Sequence, residues 1–158
     1  MRSVALFFVL VIGAASASIE NPRAQDMTLV VERPDGTSRS VSVGEIESIG
    51  LATFTELDPF NEKEVDYSGV PLRRFAEVFG GEKASSAIFE GVDGYAYEFK
   101  RSDWQDNFYL VTRQQGKHIG YREKGPFRIV DKGYDRARLA SKYNFNDWVW
   151  MIVRVTFR

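Results

Sequence analysis

Residues 67–80 read "YSGVPLRRFAEVFG". Pro71 suits the first turn of a helix, where a missing N–H costs nothing. Leu72, Phe75, Ala76 and Phe79 then fall at i, i+3, i+4 and i+7, one apolar stripe, while Arg73, Arg74 and Glu77 face away from it. Gly80-Gly81 supplies a stop. The spacing predicts one helix with one buried face, set in a chain whose other segments follow a period of two.

On the N-terminal side, "MTLVVERPDGTSRSVSV" predicts two strands reversed at Pro34-Asp35-Gly36. "EIESIGLATFT" continues as a further extended segment into the irregular "ELDPFNEK", and "EVDYSG" is a short strand. On the C-terminal side, "SAIFEG" and "YAYEFK" are strands joined at "VDG", and "FYLVTRQQGKHIGY" is a strand, a turn at Gln115-Gly116-Lys117 and a short return. "FRIVD" is another strand and "RARLASKYNF" a helical turn. "WVWMIVRVTF" reads as one long final strand, with Val149, Met151, Val153, Val155 and Phe157 opposite Trp148, Trp150, Ile152 and Arg154. Trp148 and Trp150 read as sheet packing. The expected fold class is α+β, a single strand-dominated domain with mixed sheets and few helices.

The first residues, "MRSVALFFVLVIGAASASIENP", combine a positive Arg2, an apolar run and the small-residue pattern Ala15-Ser16-Ala17. That pattern predicts a secretory signal peptide over 1–17 and a mature domain over 18–158, located in the periplasm without membrane insertion. With 21 basic and 22 acidic side chains in 158 residues, the chain is not built to coat nucleic acid or an anionic membrane. It has no cysteine, which excludes disulfides, zinc–thiolate and iron–sulfur sites and a cysteine nucleophile. Its single histidine, His118, excludes a His-rich metal site and, without a G-x-S-x-G elbow, reads as an ordinary strand or turn residue.

In their order along the chain, "YSGVPLRRFAEVFG", "VDGYAYEFKRSDW", "REKGPFRIVDKG" and "WVWMIVRVTF" resemble the molybdopterin-binding domain of sulfite oxidase-like oxidoreductases. The small, exported, single-domain members are the most similar, and the resemblance runs from about Leu51 to Arg158. Enzymes of that family hold molybdenum through a cysteine thiolate in the segment before Y-x-G-V-P-L. Here that segment is "LATFTELDPFNEKEVD", and the soft ligand is absent. In this respect the chain resembles periplasmic pterin-binding regulators, whose partner is the periplasmic domain of a membrane-bound enzyme that makes and degrades cyclic di-GMP. The resemblance therefore implies a non-catalytic protein with a bound pterin, no molybdenum, and such a signalling enzyme as partner. Two alternatives stand beside it. One is a molybdopterin-dependent oxidoreductase subunit with a non-cysteine ligand. The other is a ligand-free adaptor whose old cleft is filled by Phe54, Leu57 and Phe60.

A pterin needs an aromatic face and a few converging polar groups. Thr53, Thr55 and Glu56 lie in the former cysteine segment, and Glu56 or Asp103 could take two N–H bonds from an aminopyrimidine edge. Tyr95, Trp104 and Tyr121 are the candidate stacking faces. Arg122, Lys124 and the backbone of Gly125 complete the expected set, with Gly125 admitting a ligand close to the main chain because it lacks a Cβ. Tyr67 reads instead as a packing residue at the helix entrance.

Overall fold

The computed structural model describes residues 27–104 and 107–158, with the backbone alone at 142–143. The expected leader over 1–17 lies outside the described residues. Among those, two five-stranded sheets carry the fold. The first contains β1 (Thr28–Glu32), β2 (Ser38–Ser42), β5 (Ser86–Gly91), β6 (Ala96–Lys100) and β10 (Ile152–Phe157), in the order β2-β1-β10-β5-β6. β1 and β10 run parallel and the other neighbours antiparallel. The second contains β3 (Ala52–Asp58), β4 (Lys63–Pro71), β7 (Phe108–Gln114), β8 (Lys117–His118) and β9 (Arg128–Asp131). Its order is β3-β4-β7-β8, with β9 also paired to β7. The result is the strand-rich α+β architecture with mixed sheets that the alternation predicts.

The second sheet lies between two apolar clusters, which is why the adjacent pairs Leu110-Val111 of β7 and Ile129-Val130 of β9 are apolar on both faces. Leu110 and Ile129 join Leu29, Phe75, Phe89 and Phe157 in the larger core. Their neighbours Val111 and Val130 join Phe54, Tyr67, Tyr134, Phe145 and Trp148 in the smaller one. The candidate site lies in and around the smaller core.

The helix expected from residues 67–80 forms as α2 (Leu72–Phe75) and continues as a π-helical turn over Ala76–Gly80. All four stripe residues are buried. Pro71 ends β4 and caps the helix rather than opening its first turn, and Gly81 takes the positive φ of 82° that stops it.

Three expectations are corrected. The segment after β2 is not extended but forms α1 (Val43–Ser48), because Ser42 caps it and Glu45 bonds back in a capping box. β4 is a nine-residue strand rather than a short one. The last strand begins only at Ile152: Met151 has φ of 51°, which takes Trp148, Val149 and Trp150 out of the ladder. The register shifts again between Ile152 and Arg154, so the strict two-sided alternation does not hold. The segment "RARLASKYNF" makes two 3-10 turns, Arg136–Ala140 and Lys142–Phe145. His118 sits on β8 with Nε2 3.1 Å from Glu47 Oε1, and the same carboxylate accepts from Thr112 and Arg113. That cluster ties α1 to β7 and β8. Among the described residues no helix is long and apolar enough to cross a membrane.

Candidate functional site

The pleat of β3 turns Phe54, Glu56 and Asp58 inward and Thr53 and Thr55 outward. Two carboxylates are thereby delivered into an aromatic core, where each must be paired. Asp58 accepts from the Tyr67 hydroxyl at 2.9 Å, the backbone N–H of Phe60 at 2.8 Å and that of Asn61 at 3.2 Å. Arg128 donates to it at 3.2 Å, and both members of the pair are buried. Burial pushes the Asp58 carboxyl up, but the Arg128 guanidinium and these three donors outweigh burial and hold it below the ordinary carboxylate range. Burial drives the Tyr67 phenol well above its ordinary value. Glu56 accepts from the backbone N–H groups of Leu57 and Gly133 and pairs with Arg136 at 3.0 Å.

A second pair of acids shares Arg138. Its guanidinium bonds Asp131 at 2.6 Å, Asp147 at 2.7 Å and the Asn144 carbonyl, and lies 4.6 Å from the Phe145 ring. Burial, then the neighbouring Asp147, raises the Asp131 pKa to about 6 against the pull of Arg138. The native state therefore holds this proton more tightly than the unfolded chain, whose aspartates titrate near 4. The contribution of Asp131 to stability is present in acid and is lost as pH rises through about 4 to 6. Asp131→Asn removes that loss. Its stability relative to the parent is expected to improve by roughly 1–2 kcal/mol between pH 4 and 7, allowing for partial solvent screening. Denaturant titrations at both pH values check this, and a pH-independent difference would refute it.

Beside these pairs lies a pocket of about 230 Å³, walled by Phe60, Tyr95, Phe145, Trp148, Trp150 and Met151, with Asp93 and Asn146 as its polar members. It is smaller than the ~300 Å³ at which drug-sized sites begin, and so suits one small ring system. Each wall has an identifiable support. The Asp58 carboxylate bonds the N–H of Phe60, the left-handed Met151 swings Trp150 out of the strand, and Arg138 clamps the segment 144–147. The Tyr95 hydroxyl donates to the Asn146 carbonyl at 3.0 Å. Phe60 meets Trp150 edge to face, with centroids 4.4 Å apart. Lys124 lies over the face of Trp150, Nζ to centroid 3.5 Å. Among the described residues, the indole N–H groups of Trp148 and Trp150 are both buried without a hydrogen-bond partner, a condition that costs about 1–3 kcal/mol each.

Of the residues singled out from the sequence, Tyr95 lines this pocket, Lys124 covers its Trp150 wall, and Glu56 is buried in the adjoining pairs. The others are placed elsewhere. Thr53 bonds Ser68 and Thr55 bonds Asp66 as cross-strand pairs on the outer face. Asp103 caps the turn by accepting from Lys100 N–H. Trp104 packs edge-on to Phe157 in the larger core and donates to the Phe99 carbonyl at 3.3 Å. It borders a separate, polar groove with Arg73, Glu77 and Arg101. Tyr121 and Arg122 are exposed on the turn Tyr121–Glu123. At Gly125 the space beside the Cα is filled by the Ile119 main chain rather than left for a ligand. Sequence reading missed Phe60 as a wall, Trp148, Trp150, Phe145 and the Asp58–Arg128 pair. The readable signal was the alternation of β3, which puts Glu56 and Asp58 on the same face as Phe54.

A molybdenum ion would need a donor in the segment where the family that the sequence resembles supplies a thiolate. Glu56 and Asp58, the inward carboxylates of that segment, are committed to arginines and backbone N–H groups. Among the described residues no three His, Cys, Asp or Glu side chains are grouped to hold a metal. The residues present do not fit the metal.

No protein-family model matches the chain, and no curated protein matches it. Its fold is similar to that in the crystal structure of the sulfane dehydrogenase SoxCD from Paracoccus pantotrophus, with a TM-score of 0.63 at 16% sequence identity. The match covers 85% of this chain and 38% of that one. At that identity the likeness bears on fold alone: the strand-rich α+β architecture is shared with part of that chain.

Proposed function

We propose that this protein is a non-catalytic binding module that holds a pterin or a related flat heterocycle in the aromatic pocket. One observation carries the reading: Phe60 belongs to the segment where the resembling enzymes place their metal-binding cysteine, and it faces Trp150 across the pocket wall. Where those enzymes present a metal ligand, this chain presents aromatic surface. The arginine–carboxylate pairs behind the wall hold it in shape without reactive groups to spare. Occupancy would be transmitted by a partner that prefers the loaded form, a coupling that needs only a few kcal/mol. By the resemblance, that partner is the periplasmic region of a membrane-bound enzyme of cyclic di-GMP turnover.

The test begins with protein purified from the periplasm, extracted and examined for pterin by mass spectrometry, with molybdenum assayed in the same sample. Pterin without molybdenum is the expected result, and stoichiometric molybdenum would sink the reading. Trp150→Ala, at a partly exposed position, is expected to weaken pterin binding at least about tenfold, given the value of one aromatic contact. Fluorescence titration checks this, with circular dichroism as the control for folding. An unchanged affinity would move the site away from this pocket. One observation favours a second reading, a ligand-free adaptor. Phe60 and Lys124 already lie against Trp150, and in that case neither pterin nor metal would be recovered.

A further inference from the structure

We propose that Asp93 makes the pocket selective for flat rings with an amino edge, an inference that rests on the ring-binding reading and names the class of ring. Of the described residues lining the pocket, Asp93 alone is charged. Its Oδ1 accepts from Tyr95 N–H at 3.0 Å, and among the described residues no lysine, arginine or histidine pairs with it. That sets it apart from the other acids around the site. Asp58 is held by Arg128, Glu56 by Arg136, and Asp131 and Asp147 by Arg138. Those four are committed to the fold. Asp93 keeps acceptor capacity, because an ionised carboxylate has about four lone-pair sites.

A closed turn holds this carboxylate in place. Gly94 donates to the Gly91 carbonyl at 3.0 Å, and Gly91 to the Tyr95 carbonyl at 2.8 Å. Val92 N–H donates to the Met151 carbonyl at 3.0 Å, so the turn is seated on the segment that supplies the Trp150 wall. Asp93 is exposed while lining the pocket, and water covers its remaining lone pairs until a ring displaces it. A 2-aminopyrimidinone edge offers an amino N–H and a ring N–H side by side, a pair that a carboxylate accepts with both oxygens. Such charge-assisted bonds strengthen once the ring has expelled water from the aromatic walls. A ring of the same size with a carbonyl in place of the amino group sets an oxygen against the carboxylate instead. The other polar member of the lining, Asn146, carries both a donor and an acceptor and suits either ring. Discrimination falls to Asp93. Glu56 and Asp103, the carboxylates expected from the sequence for this role, are engaged elsewhere.

The experiment compares pterin with lumazine, in which an oxo group replaces the pterin amino group, by quenching of tryptophan fluorescence. The parent protein is expected to bind pterin about tenfold more tightly, the effect of one charge-assisted hydrogen bond. Asp93→Asn is expected to erase the preference by weakening pterin and tightening lumazine, since its amide offers a donor to the oxo group. Its Oδ1 still accepts from Tyr95 N–H, which preserves the turn. Should Asp93→Asn not fold, Asp93→Ser, whose hydroxyl can accept the same N–H, serves in its place. Asp103→Asn, outside the pocket lining, is expected to keep the preference and controls for a general loss of charge. Equal affinities in the parent, a preference surviving the change at Asp93, or its loss in Asp103→Asn as well would each overturn the role of Asp93 while leaving ring binding intact. Failure of both rings to bind the parent would overturn the ring-binding reading and this inference with it.

Discussion

Replacing Arg128 with methionine is expected to cost about 3–5 kcal/mol of folding stability, the penalty for leaving one member of a buried ion pair without its counter-charge. The side chains of Arg128 and Asp58 are 3% and 2% exposed, so water cannot take over the missing partner. The sign of the pH dependence follows. In the parent protein the Asp58 carboxyl is held below its ordinary range. Its contribution is thus present above the unfolded aspartate value and lost as pH falls. In the variant, burial acts with less opposition and pushes the carboxyl up, so the deficit is largest at neutral pH and narrows in acid. Adding Asp58→Asn should recover part of the loss by removing the stranded charge. Denaturant unfolding at pH 7 and pH 4.5 checks both statements, and a loss under about 1 kcal/mol at pH 7 would contradict a buried pair of this kind. The same carboxylate bonds the N–H groups of Phe60 and Asn61, so the variant should also bind ring ligands poorly.

Gly125→Ala is expected to be almost as costly, for a reason that concerns space rather than backbone conformation. A Cβ at this position would overlap the Ile119 carbonyl and approach the Ile119 side chain. Main chain cannot swing aside as a flexible side chain would, so the turn carrying Lys124 must move. Overpacking of this kind costs about 3 kcal/mol, which corresponds to roughly a 10 °C fall in Tm for a domain of this size. Thermal unfolding of the variant provides the check. A fall of only one or two degrees would mean that the turn is more pliable than its packing indicates.

Local rules carried the sequence reading as far as they act alone. The stripe at Leu72, Phe75, Ala76 and Phe79 was legible because helical burial follows a fixed period. The strand pairs at 86–100 and 108–118 were legible because turn residues separate alternating runs. Even α1 was readable in principle, since Ser42 and Glu45 stand at capping-box spacing. A run of Glu and Ile beside β-branched residues hid it. What could not be read depends on the third dimension. Asp58 and Arg128 lie 70 residues apart, and nothing in either segment names the other. The pocket needed Met151 to adopt a positive φ, which a non-glycine residue does rarely and without a sequence signal. That kink turned Trp148 and Trp150 from expected sheet packing into pocket walls. Trp104 misled in the opposite way: expected as a stacking face, its ring is buried against Phe157.

The position of β10 has a kinetic consequence. This strand stands between β1 and β5, and its parallel pairing joins Val30 to Arg154 across most of the chain. Without it, the first sheet falls into two separate hairpins, β1-β2 and β5-β6. Each hairpin closes over a short span, but the strand that unites them must search across a long loop before any contact rewards it. Folding of this domain should accordingly be slow for its size, with docking of β10 as the late event. The amide protons of β10 should exchange with solvent only when the whole molecule opens.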